Sequence, residues 1–211
     1  MLAFSFTQCS GARRRPSLKP ALRAVIVALA PIMLNACGGG AGSLPTFDLY
    51  APRDIGQTGT AYTQLTVNEP IVVQAFDSDR VVVKDQGGTI SYLGGAQWVD
   101  KLPRLFQTRL IETFENAKRT GVGRPGGGII ANTSLVTEIR AFQIEGASGE
   151  ALVEISAKLV TAYGRVNAAR VFTARVPAGS ADGAAAARAL DQASSQVMAE
   201  IVRWATGARG A

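Results

Sequence analysis

Three stretches in the second half of the chain constrain its fold more than anything else in it. Leu135–Phe142, Ala151–Val160 and Ala168–Val176 each alternate apolar with polar residues, and only short turns separate them. Successive side chains of a strand point to opposite faces, so this alternation predicts half-buried strands. In the first, Leu135, Ile139 and Ala141 share one face, and Glu138, Arg140 and Phe142 share the other. In the second, Val153, Ile155, Ala157 and Leu159 point inward, with Glu154, Ser156 and Lys158 outward. The third carries Arg170 and Arg175. Gly146–Gly149 and Tyr163–Gly164–Arg165 supply turns, so the simplest connection is an antiparallel meander. The Glu and Arg residues read as cross-strand ion pairs on a solvated face rather than as catalytic carboxylates or a basic patch.

Two helices flank this meander. The first starts near Asp100, whose carboxylate suits the free amides of a first turn, with Pro103 early enough to be tolerated. Leu102, Phe106, Leu110, Thr113, Phe114 and Ala117 recur every three or four residues, while Arg104, Gln107, Glu112 and Glu115 fall mainly elsewhere around the wheel. That face is too weakly basic for a membrane-surface helix, so it packs on a core, and the helix ends around Thr120 or Gly121. The second helix is capped by Ser180 or Asp182 and runs to about Trp204, with Leu190, Ala193, Val197, Ile201 and Trp204 as its apolar stripe.

The first half of the chain reads as β-rich. Thr46–Tyr50, Leu65–Val67, Ile71–Phe76, Val81–Lys84 and Thr89–Leu93 are predicted strands, with Asp85–Gly88 joining the last two as a hairpin. Gly121–Gly126 matches the spacing of a dinucleotide-binding fingerprint. That motif works by following a strand and opening a helix, whereas here it follows a helix and precedes the strand-like Ile129–Ile130, with Pro125 lacking an amide; it is a glycine-rich turn. The domain is therefore of the α/β (α+β) class, a largely antiparallel sheet with two main amphipathic helices packed on it.

The N-terminus has a different character. Arg13, Arg14, Arg15, Lys19 and Arg23 precede the apolar run Ala24–Met33, which is shorter than the roughly 20 residues a membrane span needs. Leu34–Asn35–Ala36–Cys37 then resembles the lipobox of bacterial lipoproteins, with Leu34, Ala36 and Cys37 marking signal cleavage and Cys37 as the lipidated residue. Asn35 departs from the small or apolar residue usual there. Gly38, where an aspartate would signal inner-membrane retention, implies sorting to the outer membrane. The chain accordingly divides into a signal peptide over 1–36, a lipidated cysteine and glycine-rich tether over 37–46, one periplasmic domain over 47–206, and a frayed tail over 207–211.

The leader explains the charge. The chain has 22 Lys+Arg against 16 Asp+Glu, but five of the bases and no acid lie before Cys37, leaving 17 against 16. A nucleic-acid partner thus loses its electrostatic argument. Cys9 lies in the leader and Cys37 is the acylation site, so no thiol remains for a disulfide. With 0 His in the chain, Ser-His-Asp, Cys-His and His-ligated metal sites are excluded. Nothing marks a nucleophile, an acid/base pair or a cofactor site, and no enzyme is expected.

Taken in order, Trp98, Leu102–Leu105, Arg109–Leu110, Phe114–Asn116, Arg124–Gly127, Glu138–Phe142 and Arg203–Trp204 resemble the ABC-type transport auxiliary lipoprotein family, which includes PqiC-like proteins and accessory lipoproteins of MCE (Mla-like) lipid transport systems. The Phe47–Tyr50 segment departs from the family in lacking an aromatic pair. The resemblance implies a mixed sheet similar to the N-terminal domain of TolB, no catalysis and no cofactor. It also implies a lipid-anchored place on the periplasmic side of the outer membrane. As partners it implies an MCE-domain protein with its ABC permease and ATPase, besides the membrane itself, and it is compatible with a homo-oligomer. Trp98 and Tyr92 are candidate contacts for a partner or lipid, although Trp98 reads more readily as a core aromatic at the helix start. Two other functions stay open: a periplasmic lipid-binding carrier, and an envelope assembly or secretion lipoprotein unrelated to lipid movement.

Overall fold

The long strand Thr133–Glu145 (β7) is the axis of the fold in the computed structural model, which describes residues 43–56, 64–119, 121–179 and 182–207. On one side it pairs antiparallel with Glu150–Thr161 (β8) along its whole length, and β8 pairs antiparallel with Val166–Pro177 (β9). This is the predicted meander. On its other side β7 takes three short strands in parallel, one after another: Leu65–Val67 (β2) at Ser134–Leu135, Ile71–Val72 (β3) at Glu138–Ile139, and Arg80–Lys84 (β4) at Gln143–Glu145. β4 forms an antiparallel hairpin with Ile90–Trp98 (β5), and the ends are closed by Thr46–Phe47 (β1) on β5 and Val122–Gly123 (β6) on β2, both parallel. Among the described residues the result is a nine-stranded mixed sheet with two α-helices, Leu102–Asn116 (α1) and Gly183–Gly207 (α2).

One expected face is reversed. Phe142 does not join Glu138 and Arg140 outside; it is 1% exposed, opposite Val153. Ile139 pairs with Ile155 and Ala141 with Glu154, so Arg140 is an extra residue and the alternation inverts beyond it. Such a β-bulge inserts one residue into one strand, and everything after it changes face. Ser156, expected outward, is also buried. The expected ion pairs do form, Arg140–Glu154 at 3.9 Å and Arg175–Glu150 at 3.7 Å, each half-exposed and worth little.

Glycines explain why β5 continues past Leu93, where the sequence suggests a stop. Gly95 adopts φ +78°, and the strand bends there to carry Ala96 and Trp98 into the core. Helix α2 starts against that bend so closely that a Cβ on Gly183 would stand 2.6 Å from the Gly95 carbonyl. Elsewhere the expected strands shorten. Only Ile71–Val72 of Ile71–Phe76 is a strand, followed by a 3₁₀ turn over Gln74–Phe76, β1 stops at Phe47, and Ile129–Ile130 is not a strand.

Both helices bury most of the predicted stripes, with Ala117 and Trp204 only partly covered, and α2 lies across β8, β9 and β5 with α1 beside it. Asp182 caps α2 by accepting the Ala185 N–H at 2.7 Å, and the helix runs on to Gly207; Ser180 lies outside the described residues. The cap of α1 differs from expectation. Its N-cap is Lys101, which makes no side-chain cap; Asp100 accepts the Lys101 N–H at 2.7 Å and pairs with Arg104 at 3.7 Å. It ends at Asn116, earlier than expected, because Lys118 turns to φ +60°. Lys118 N–H bonds the Glu115 carbonyl at 2.8 Å and Arg119 N–H the Phe114 carbonyl at 3.0 Å, a Schellman closure with lysine where glycine is usual.

Candidate functional site

Among the described residues no group of His, Cys, Asp or Glu could hold a metal ion, and no helix is long and apolar enough to cross a membrane. Two surfaces are built by identifiable side chains: the N-terminal strap after β1, and the β4–β5 hairpin.

The strap, residues 48–53, carries almost no backbone pairing, and side chains from both helices take its place. Arg109 of α1 donates from Nε to Asp48 Oδ1 at 3.1 Å, from a terminal nitrogen to Asp48 Oδ2, and from its other terminal nitrogen to Glu112 at 2.7 and 2.8 Å. Burial works against its charge, but the bonds to Asp48 and Glu112 outweigh it and raise its pKa. Asn116 Nδ2 donates to the Ala51 and Pro52 carbonyls at 3.3 and 3.1 Å. From α2, Asp191 Oδ1 accepts the Tyr50 N–H at 2.6 Å and Ser195 Oγ donates to the Tyr50 carbonyl at 3.2 Å. Between strap and helix lies an open polar cleft of about 360 Å³ with Arg53, Glu112, Glu115 and Asn116 on its walls. On its walls Arg109 is paired with Asp48 and Glu112, whereas Arg53 and Glu115 make no ion pair among the described residues.

A second clasp sits lower on α1. Gln107, expected on the outer side of the wheel, is 4% exposed. It reaches the Val67 carbonyl of β2 from Nε2 at 2.9 Å and accepts Arg124 Nε at Oε1 at 3.1 Å, while Arg124 also donates to Thr108 Oγ1 at 2.6 Å. The glycine-rich turn is thereby fastened to α1, and its order after a helix and before β7 leaves no helix N-terminus for a phosphate. Sequence reasoning missed Gln107, Asp48 and Asp191. A heptad or wheel pattern carries no signal for a polar side chain recruited by a backbone carbonyl from a distant short strand.

The hairpin bears the sequence's two aromatic candidates, and the structure separates them. Trp98 is 2% exposed, its ring edge-on to Phe142 at 5.8 Å, so it is a core residue and offers no surface to a partner or lipid. The bend at Gly95 is what turns it inward. Tyr92 stands on the solvent side, 45% exposed, with Arg80 stacked 5.3 Å from its ring centre, and Ile90 is exposed on the same face. Around the hairpin's other face is an apolar cleft of about 300 Å³ lined by Val83, Leu93, Ile144 and Ala186 with glycine backbone. Its volume is at the low end for small-molecule sites, and a two-chain phospholipid is larger than it. Cys37, Leu34, Asn35 and Ala36 lie outside the described residues.

Comparison with known proteins places this architecture. An uncharacterised protein of Bradyrhizobium diazoefficiens, bll6063, is 32% identical over 181 residues, which are 79% of this chain and 46% of that protein; the chain thus spans about half its relative's length. The crystal structure of XCC0632 from Xanthomonas campestris, of family DUF330, is similar with a TM-score of 0.67 and 28% identity over 77% of this chain and 93% of that one. A second uncharacterised structure shares the fold at a TM-score of 0.59 and 15% identity, covering 76% and 97%. The sequence model of the family described as ABC-type transport auxiliary lipoprotein component matches residues 47–202. That match runs from β1 into the last turns of α2, and this chain belongs to the ABC-type transport auxiliary lipoprotein component family, whose name implies a membrane-anchored envelope lipoprotein associated with an ABC transporter.

Proposed function

We propose that this protein is a non-catalytic docking subunit of an MCE (Mla-like) ABC system that moves phospholipid or another hydrophobic cargo across the envelope. In this reading Cys37 anchors it by lipid to the periplasmic face of the outer membrane, and Tyr92 on the hairpin belongs to its contact surface. The observation that carries the reading is the family match over 47–202 of a chain whose Leu34–Cys37 segment has lipobox form. The geometry supports docking over carriage: the apolar cleft of about 300 Å³ is too small for a diacyl lipid. A carrier would need a larger enclosed cavity.

The test is purification of the native lipoprotein from membranes in mild detergent, with co-purifying proteins and lipids identified by mass spectrometry. An MCE-domain protein in stoichiometric amount supports docking. Stoichiometric lipid without protein supports a carrier, and recovery of neither lipid nor protein overturns the transport reading. For the anchor, Cys37→Ala abolishes acylation and releases the protein from the outer-membrane fraction; unchanged mass and fractionation reject it.

A further inference from the structure

The sheet ends very differently on its two sides. β1 and β6 close it with two residues each, too short to template another strand, whereas β9 closes the other side with twelve residues. Among the described residues β9 pairs only with β8, so its second row of backbone donors and acceptors is left open. Exposed edges this long are normally blunted by inward charges, bulges or prolines, because they recruit further strands. Here the Pro is at the last position, the bulge is near Val166 at the strand's start, and Ala168 to Ala174 runs between them in regular register with Val171 44% exposed.

The charge of β9 selects the occupant. Between Val166 and Pro177 there are two arginines and no acid. By register Arg170 lies on the helix side with Ala157, its guanidinium 5.1 Å from the Phe172 ring, and Arg175 lies on the solvent side with Leu152. Arg175 reaches Glu150 only at 3.7 Å and stays half-exposed, so it can still turn to a further carboxylate. Arg165 adds a third cation in the turn leading into the strand. A second copy of β9 pairing antiparallel would bring two arginines from each strand together with no acid from either to offset them, which disfavours self-pairing. An extended segment carrying carboxylates would meet a cation on whichever face its side chains project.

We propose that the β9 edge is a strand-addition site for an extended, acidic segment of a partner protein, held by backbone hydrogen bonds along Ala168–Arg175 and selected by Arg170 and Arg175. This rests on the docking reading and adds to it a second contact surface, on the opposite side of the sheet from the Tyr92 hairpin.

The test uses the full-length lipoprotein in detergent and two synthetic peptides of about ten residues, long enough to span most of β9: one alternating Glu with Val and Thr, the other with Lys in place of Glu. Binding is read by fluorescence anisotropy, and the site by amide hydrogen exchange. The expected result is that the acidic peptide binds about tenfold or more tightly than the basic one and slows exchange in 166–177, with the preference reversed by the R170E/R175E double variant, whose melting temperature stays close to that of the parent. Equal binding of both peptides, protection elsewhere than β9, or no binding by a folded protein would overturn the proposal. None of these results depends on whether an MCE protein co-purifies, so failure of the edge and failure of the transport reading are distinguishable.

Discussion

The two flanks of β7 are held by different physics. On the β8 side an antiparallel ladder runs from Thr133 to Glu145, broken by the bulge at Arg140, and the inward rows Ile139–Ile155–Phe172 and Phe142–Val153–Ala174 lie under α2. On the other side the pairing comes in pieces of two and three residues, β2, β3 and β4, and the strap before them has almost none. There, side chains of the helices complete what the backbone leaves undone: Gln107 for Val67, Arg109 for Asp48, Asn116 for Ala51 and Pro52, Asp191 for Tyr50. A ladder is cooperative along its length, whereas a set of clasps opens one at a time. The strap side of the domain is thus the side built to yield, and the meander is the rigid platform carrying the β9 edge.

The largest effect should come from breaking the platform. Phe142→Ala removes a fully buried ring from between Val153 and Trp98 and should cost about 3–5 kcal/mol, lowering the melting temperature of the whole domain in a single transition. The same experiment judges the bulge at Arg140. If Phe142 followed the plain alternation to the solvent face, the loss would stay within about 0.5 kcal/mol.

A clasp should fail locally. Gln107→Ala leaves the Val67 carbonyl and the Arg124 guanidinium without their buried partner, for about 1–3 kcal/mol. Hydrogen exchange should accelerate in 64–72 and 121–128 while β8 and β9 keep their protection. Uniform acceleration across the sheet would show that the two flanks form one cooperative unit and would remove the distinction between them.

These differences track what the sequence could reveal. The meander was legible because its partners are neighbours in the chain and every strand repeats one two-residue period. The helical stripes were legible for the same local reason. The parallel pairing of β2, β3 and β4 on one edge of β7 joins residues about seventy positions apart through strands too short to show a period, such as Val67 with Leu135. The bulge at Arg140 inverts a face without any composition signal, and Gly94–Gly95 looks like an end when it is a bend. Of the two aromatic candidates, Trp98 and Tyr92, sequence could supply the residues but not the turn of the strand between them that buries one and exposes the other.

The end of α1 offers a stabilising test. Lys118 holds φ +60° at the position of the Schellman closure, a conformation costing a non-glycine residue about 1 kcal/mol. Lys118→Gly should recover up to about that amount, less the extra entropy glycine brings to the unfolded chain, and should slow exchange at Arg119, whose amide bonds Phe114. Loss of stability would mean that the lysine side chain contributes more than its backbone strain removes.

The smallest effect concerns Asp191, where the strap meets α2. Burial pushes its carboxyl above the usual carboxylate range, the bond from the Tyr50 N–H pulls it back, and the nearby charge of Asp48 pushes it up again. A carboxyl that is harder to ionise in the folded chain than in the unfolded one subtracts stability once charged. Its penalty is absent below the unfolded value and grows as pH rises through the window between the two values. Asp191→Asn keeps an oxygen for the Tyr50 N–H and discards the charge. Denaturant midpoints should therefore show the variant equal to or above the parent at about pH 7, with any advantage shrinking as pH falls through the carboxylate range. A variant clearly weaker at neutral pH would reverse the inference: the charge-assisted bond to Tyr50 would then outweigh the cost of burying Asp191, and the strap would be fastened by ionisation rather than in spite of it.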